Sequence, residues 1–208
     1  MKNNGLVPNR NTYNILVHGY CKLKWLKEAV EVTELMTGND MLPDVWTYNT
    51  MVRGLCDEGK IDEAVRLRDE MESLRLVPDG VTYNTLIDGC FEHQGSAAAF
   101  KLVEEMKSRG VKENAVTHNI MVKWFCKEGN VDEASNAMAK MSESGFLLIV
   151  LLISYNMMIN GYCKAGKMAK AFKMMDEMGR KGLKTDTFTL NTILYTLCLE
   201  KKLDDAYN

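Results

Sequence analysis

Asparagine recurs at Asn14, Asn49, Asn84, Asn119, Asn156 and Asn191, at intervals of 35, 35, 35, 37 and 35 residues. Around it runs one phrase with small changes: TYNIL, TYNTM, TYNTL, THNIM, SYNMM and TLNTI. A fixed period of this size belongs to stacked supersecondary units, not to a single globular core. A polar residue that holds one register also points the same way in every unit. The six amides therefore belong to one face, and that face is where function is to be sought.

Counted so that the asparagine is the fifth residue, complete units run 10–44, 45–79, 80–114, 115–151 and 152–186. A partial unit covers 187–208, and residues 1–9 match the closing segment of a unit. The unit at 45–79 shows the internal logic. Thr47 is a good helix N-cap, followed by Tyr48, Met51, Val52 and Leu55 at helical spacing. Gly59 suits the end of that helix. Asp62 and Glu63 favour the first turn of a second helix, whose apolar stripe is Ile61, Ala64, Val65, Leu67 and Met71. The expected unit is an antiparallel helix hairpin, and the expected fold is all-α.

Two registers mark close packing. Alanine stands at Ala29, Ala64, Ala99, Ala134, Ala171 and Ala206, and methionine at Met36, Met71, Met106, Met141 and Met178. Small residues let the second helix approach the first, and methionine fills space between layers. Five of six cysteines share one register (Cys21, Cys56, Cys126, Cys163, Cys198), with Cys90 displaced by one. Successive layers lie about 10 Å apart, beyond the reach of about 7 Å that a disulfide spans. Without a C-x-x-C pair or a nearby histidine there is no zinc pattern. Buried packing thiols in a reducing compartment are the expectation. No metal or cofactor is implied.

The net charge of −2 gives no global pull toward nucleic acid or membrane, so any electrostatic argument is local. No stretch approaches the 18 or so apolar residues of a membrane span. The start, MKNNGLVPN, is neither a signal nor a transit peptide. Polar capping units are absent at both ends, so the sequence reads as an excerpt of a longer array whose apolar ends offer a route to self-association. One stretch breaks the pattern: residues 146–153, FLLIVLLI, stand where other units have short linkers such as LVPDGV, and the fourth unit is two residues longer. An insertion between layers or a sequence artefact accounts for it equally well.

The 35-residue period, VTYNTLIDG at 81–89, GYCK at 19–22 and 161–164, and DEAVRL at 62–67 resemble the pentatricopeptide repeat family, in its class of uniform-length repeats. The resemblance covers essentially the whole chain. It implies a right-handed superhelix of helical hairpins that binds single-stranded RNA, one base per repeat. In that family the fifth and last residues of a unit together select the base. Carried over, Asn14 pairs with Asp44, Asn49 with Asp79, Asn84 with Asn114 and Asn156 with Asp186. Asn with Asp implies uracil, and Asn with Asn implies cytosine. Asn119 faces the anomalous segment, with Ile149 or Leu151 where Asp is expected, and Asn191 has no partner in the sequence. The implied element is 5′-UUCYUY-3′, where Y is a pyrimidine.

The residue chemistry agrees. An Asn amide offers both donor and acceptor, as the edge of an unpaired base requires. Thr12, Thr47, Thr82, Thr117, Ser154 and Thr189 already occupy a plausible N-cap, which leaves six asparagines just inside the helix with no folding reason. By the same resemblance, the second residue of each unit stacks on a base: Trp46, Val81, Val116, Ile153 and Phe188, with Asn11 departing. For the aliphatic members, packing between layers competes with stacking. The resemblance places phosphate contacts at the lysine after the recurring cysteine, namely Lys22, Lys127 and Lys164; Asp57, Glu92 and Leu199 depart from it. It also implies a mitochondrial or chloroplast protein.

The alternative is a protein-binding scaffold of the tetratricopeptide kind, whose first-helix Trp, Leu-Gly and Tyr signatures are missing here. Catalysis is not expected. His18, His93 and His118 hold different registers, and no nucleophile–base set accompanies them.

Overall fold

The computed structural model describes residues 7–143 and 148–199, without the side chains of 140–143 and 148–150. The chain divides into two compact units, Met1–Glu113 and Asn114–Asn208. Every regular element among the described residues is a helix. The first unit holds α1 (Arg10–Lys22), α2 (Leu26–Thr37), α3 (Val45–Asp57), α4 (Ile61–Ser73), α5 (Gly80–His93) and α6 (Ser96–Ser108). The second holds α7 (Ala115–Lys127), α8 (Val131–Glu143), α9 (Leu148–Lys164), α10 (Met168–Arg180) and α11 (Thr187–Leu199). In the first unit α1, α3 and α5 pack side by side, each also against its own second helix. In the second, α9 packs between α7 and α11, with α8 on α7 and α10 on α9.

The helix starts correct the expected caps. The cap is the residue three earlier than the threonine: Asn9, Asp44, Asp79 and Asn114, each in extended backbone. Asp44 Oδ1 accepts from the Thr47 N–H at 3.0 Å, and the Asp44 N–H donates back to Thr47 Oγ1 at 3.2 Å. This is a reciprocal capping box with threonine in the third helical position. Such a cap contributes about 1 kcal/mol. Gly59 follows the end of α3 with φ +74°, the left-handed position that glycine fills without penalty.

The expected packing registers are buried. Ala29, Ala64, Ala99, Ala134 and Ala171 are fully enclosed, as are Met36, Met71, Met106 and Met178. Ala206 and the side chain of Met141 lie outside the described residues. Cys21, Cys56, Cys90, Cys126 and Cys163 are free and buried, whereas Cys198 is exposed and departs from that expectation.

The cysteines explain a glycine. A Cβ built on Gly54 would stand 3.1 Å from Cys21 Cβ, one on Gly89 2.9 Å from Cys56 Sγ, and one on Gly161 2.7 Å from Cys126 Sγ. α1 with α3, α3 with α5, and α7 with α9 thus touch through a glycine of one and a cysteine of the other.

The anomalous stretch becomes helix where it is described. α9 runs for 17 residues against 13 in α7, so its start precedes the usual capping position. Leu151 is buried within that helix and takes the place of a capping aspartate. Residues 146 and 147 and the side chain of Ile149 lie outside the described set.

Candidate nucleic-acid interface

The capping boxes set the geometry of the recurring asparagines. Asn14, Asn49, Asn119 and Asn156 each lie one helical turn inside a first helix, beside residues that open the next repeat. Asn49 donates from Nδ2 to Asp79 Oδ1 at 3.2 Å and accepts at Oδ1 from the Thr82 hydroxyl at 2.6 Å. Asn14 Oδ1 accepts from Thr47 Oγ1 at 2.8 Å, and Asn119 Oδ1 from Ser154 Oγ at 2.7 Å. Asn156 donates to Asp186 Oδ2 at 2.8 Å. These four asparagines therefore do have a folding reason, contrary to the sequence expectation: they tie one repeat to the next. Sequence periodicity could not show this, because the tie joins residues about 33 positions apart.

The cap aspartates serve both sides of the junction. Asp79 Oδ1 accepts from the backbone N–H groups of Val81 and Thr82, both at 3.0 Å. Burial acts to raise the Asp79 carboxyl, but these N–H groups, the Asn49 amide and the Thr82 hydroxyl outweigh it and hold the group below its usual value. The Thr189 N–H does the same for Asp186, donating to Oδ1 at 2.8 Å. Asp44 Oδ1 caps α3, and its Oδ2 faces Arg10 at 3.9 Å.

In the first unit a groove of about 490 Å³ brings predicted residues together. Lys22, Trp46, Asn49, Asp79 and Val81 all line it, with Arg53 and Asp57. Asn14, Asp44 and Asn84 do not. Trp46 and Val81 are half exposed. His18 lies against Trp46, with ring centroids 6.3 Å apart. Val116, Ile153 and Phe188 are also half exposed or more.

In the second unit Lys127 and Lys164 line a smaller groove of about 230 Å³ with Lys123 and Asn160. Lys127 also lies over the Trp124 ring, 3.9 Å from its centroid. Arg53 and Lys123 share the ninth position of their repeats and were not foreseen. That register also holds His18, Asp88, Asn160 and Tyr195, too mixed for periodicity to reveal. Asn191 is exposed on α11.

No group of metal-ligating side chains occurs among the described residues. No helix among them is long and apolar enough to cross a membrane.

The PPR repeat family model matches residues 8–57, 43–92, 78–127 and 152–199, and a PPR repeat model matches 116–146. The chain belongs to the PPR repeat family. Comparison with curated proteins finds no match. Among solved structures it is similar to the pentatricopeptide repeat protein PPR10 from maize, with TM-score 0.77 and 24% identity over 96% of this chain and 28% of that one. PPR10 in complex with an 18-nucleotide psaJ RNA element matches equally well, over 99% of this chain and 30% of that one. The PPR domain of Arabidopsis thaliana protein-only RNase P 1, in complex with tRNA, gives TM-score 0.62 and 16% identity over 86% and 94% of the two chains. At these identities the likeness establishes the PPR fold. The chain spans about three-tenths of the maize protein's length.

Proposed function

We propose that this PPR chain binds single-stranded RNA, reading one pyrimidine per repeat along the element 5′-UUCYUY-3′, in mitochondria or chloroplasts. The observation that carries the reading is the Asn49–Asp79 pair, hydrogen-bonded within a groove that also presents Trp46, Val81 and Lys22. An edge reader, two faces for stacking and a cation for the phosphate are what recognition of an unpaired nucleotide needs. The solved complexes of related PPR proteins with RNA support the same class of ligand.

Capping gives a physical reason for the difference between uracil and cytosine. The cap consumes one oxygen of the last residue, which leaves the other atom to the base. In Asp79 that atom is a second carboxylate oxygen, an acceptor suited to the N3–H of uracil. In Asn114, Oδ1 is fixed by the N–H groups of Val116 and Thr117 at 2.9 and 3.1 Å, which assigns the outward position to a donor amide. A donor suits the N3 of cytosine. The repeat of Asn49 and Asp79 thus reads uracil, and the repeat of Asn84 and Asn114 reads cytosine. The repeats of Asp44 and Asp186 carry the same residue pair as Asn49 and Asp79, although their second oxygens also meet Arg10 and the Asn156 amide. In the fourth repeat Leu151 is buried, so Asn119 acts without an acidic partner and selects a pyrimidine only.

Competition binding with RNA hexamers tests this. UUCUUU is expected to outcompete an all-adenine hexamer, and Asn114→Asp to move the preference at the third base from C to U. Equal binding to all homopolymers overturns the reading.

A further inference from the structure

We infer that the hydroxyl at the third position of the following repeat is a positioning residue for base selection: Thr47 for Asn14, Thr82 for Asn49 and Ser154 for Asn119. It holds the reader amide with its oxygen turned inward and its N–H donors turned toward the base. This rests on the RNA-reading function proposed above.

The hydrogen-bond chemistry leaves one orientation. A carboxylate only accepts, so the group of Asn49 that meets Asp79 is the NH₂, and the oxygen meets Thr82. A hydroxyl carries one proton. Thr82 Oγ1 lies 2.6 Å from Asn49 Oδ1 and 3.1 Å from Asp79 Oδ1, so the shorter contact assigns that proton to the amide. The hydroxyl still accepts from the Asp79 N–H at 3.1 Å, as the capping box requires.

Thr47 repeats the arrangement, at 2.8 Å to Asn14 and 3.0 Å to Asp44. No Asp44 contact constrains the Asn14 amide in the same way, so the hydroxyl alone sets its direction. Thr47, Thr82 and Ser154 are all fully buried, which keeps water from substituting for the bond. The capping threonine therefore does two jobs with two sides of one oxygen: it accepts to start its own helix and donates to aim the reader of the repeat before.

In the last complete repeat the latch is open. Asn156 Oδ1 and Thr189 Oγ1 are both buried without a hydrogen-bond partner among the described residues. Only Asp186 holds that amide, at 2.8 Å.

The test compares the full chain with Thr82→Val and Thr82→Ser, measuring binding to UUCUUU and to UCCUUU, which differ at the base assigned to Asn49. Valine keeps the shape and removes the hydroxyl; serine restores it. Thr82→Val is expected to lose roughly tenfold of the wild-type preference for U at that base, a change of about 1.4 kcal/mol, while Thr82→Ser retains it. A folded Thr82→Val with the wild-type preference overturns the inference, as does a uniform loss of affinity for both hexamers. If Thr82→Val does not fold, Thr47→Val read at the first base decides in the same way. A wild type without any base preference defeats the RNA reading itself, and the latch with it.

Discussion

Arg68 holds the carboxylate of Glu105 that the repeat register assigns to the hydroxyl of Tyr83. Its guanidinium donates to Glu105 Oε1 at 2.8 Å. In two other repeats the tyrosine reaches the glutamate 22 residues on: Tyr48 to Glu70 at 3.0 Å and Tyr155 to Glu177 at 2.8 Å. Tyr83 is fully buried, with its hydroxyl unpartnered among the described residues and its ring under Arg68, 5.7 Å from the guanidinium carbon.

The three tyrosines should therefore answer differently to loss of the hydroxyl. Tyr48→Phe and Tyr155→Phe each remove a formed bond and are expected to cost about 1 kcal/mol, whereas Tyr83→Phe should fall within roughly 0.5 kcal/mol of wild type. Arg68→Leu removes the guanidinium from Glu105, leaving Arg109 Nε on that oxygen at 3.0 Å, and in that background Tyr83→Phe should become costlier. Urea denaturation of the four variants and the Arg68/Tyr83 double-mutant cycle measures this. Equal costs at Tyr48 and Tyr83 would refute the exchange of partners.

The glycines of the first helices make a second contrast. Gly89 faces Cys56, with a built Cβ 2.9 Å from the cysteine Cβ and 3.0 Å from Ile61 Cδ1. Gly19 stands in the same register with nothing within 4 Å of a built Cβ. Alanine at 89 forces the two helices apart, which typically costs about 1–3 kcal/mol. Alanine at 19 improves an exposed helix interior by up to about 1 kcal/mol. Thermal melts of Gly89→Ala and Gly19→Ala should move in opposite directions.

Much of this fold was legible because it is periodic. The alanine and methionine registers, the helix stops and the apolar stripe of α3 needed only spacing and helix geometry to be placed. The caps lie three residues before the threonines that spacing favours, because Asp44 and Asp79 close one counted repeat while chemically opening the next helix. The shared register of Asn49 was visible, but its tie to Thr82 was not, since periodicity relates a residue to its copies and not to its neighbours in space. Arg53 and Lys123 were missed because their register varies.

The buried cysteines give a pH prediction. Burial, chiefly, pushes the Cys56 thiol up from 9.0 to about 12, and Cys21, Cys90 and Cys126 to about 11. Tyr48 rises from 10.0 to about 12 through burial and its bond to Glu70. Each folded value lies above the unfolded one, so the unfolded chain loses protons first as pH rises. Stability from these groups is fully present below about pH 9 and is lost progressively as pH climbs toward 11 and 12. Urea midpoints measured from pH 7 to 10.5 should stay level and then fall. At pH 8, one thiol, the exposed Cys198, should react rapidly with a disulfide reagent, and the five buried ones only on unfolding.

The backbone contacts to RNA should come mainly from the second unit. Lys123, Lys127 and Lys164 line one groove there with no acidic residue among its walls. The groove of the first unit sets Asp57 beside Lys22 and Arg53. A cation that neutralises a phosphate of single-stranded nucleic acid releases a counterion and adds about 0.7 to the slope of log affinity against log salt. Lys164→Ala is expected to lower that slope by about this amount and to weaken all hexamers alike, because a phosphate carries no base identity. Asp57→Lys should do the reverse, raising both slope and affinity. Titrations at four salt concentrations with UUCUUU and UCCUUU separate the two kinds of contact: a loss confined to one hexamer would make Lys164 a base reader, and an unchanged slope would remove it from the interface.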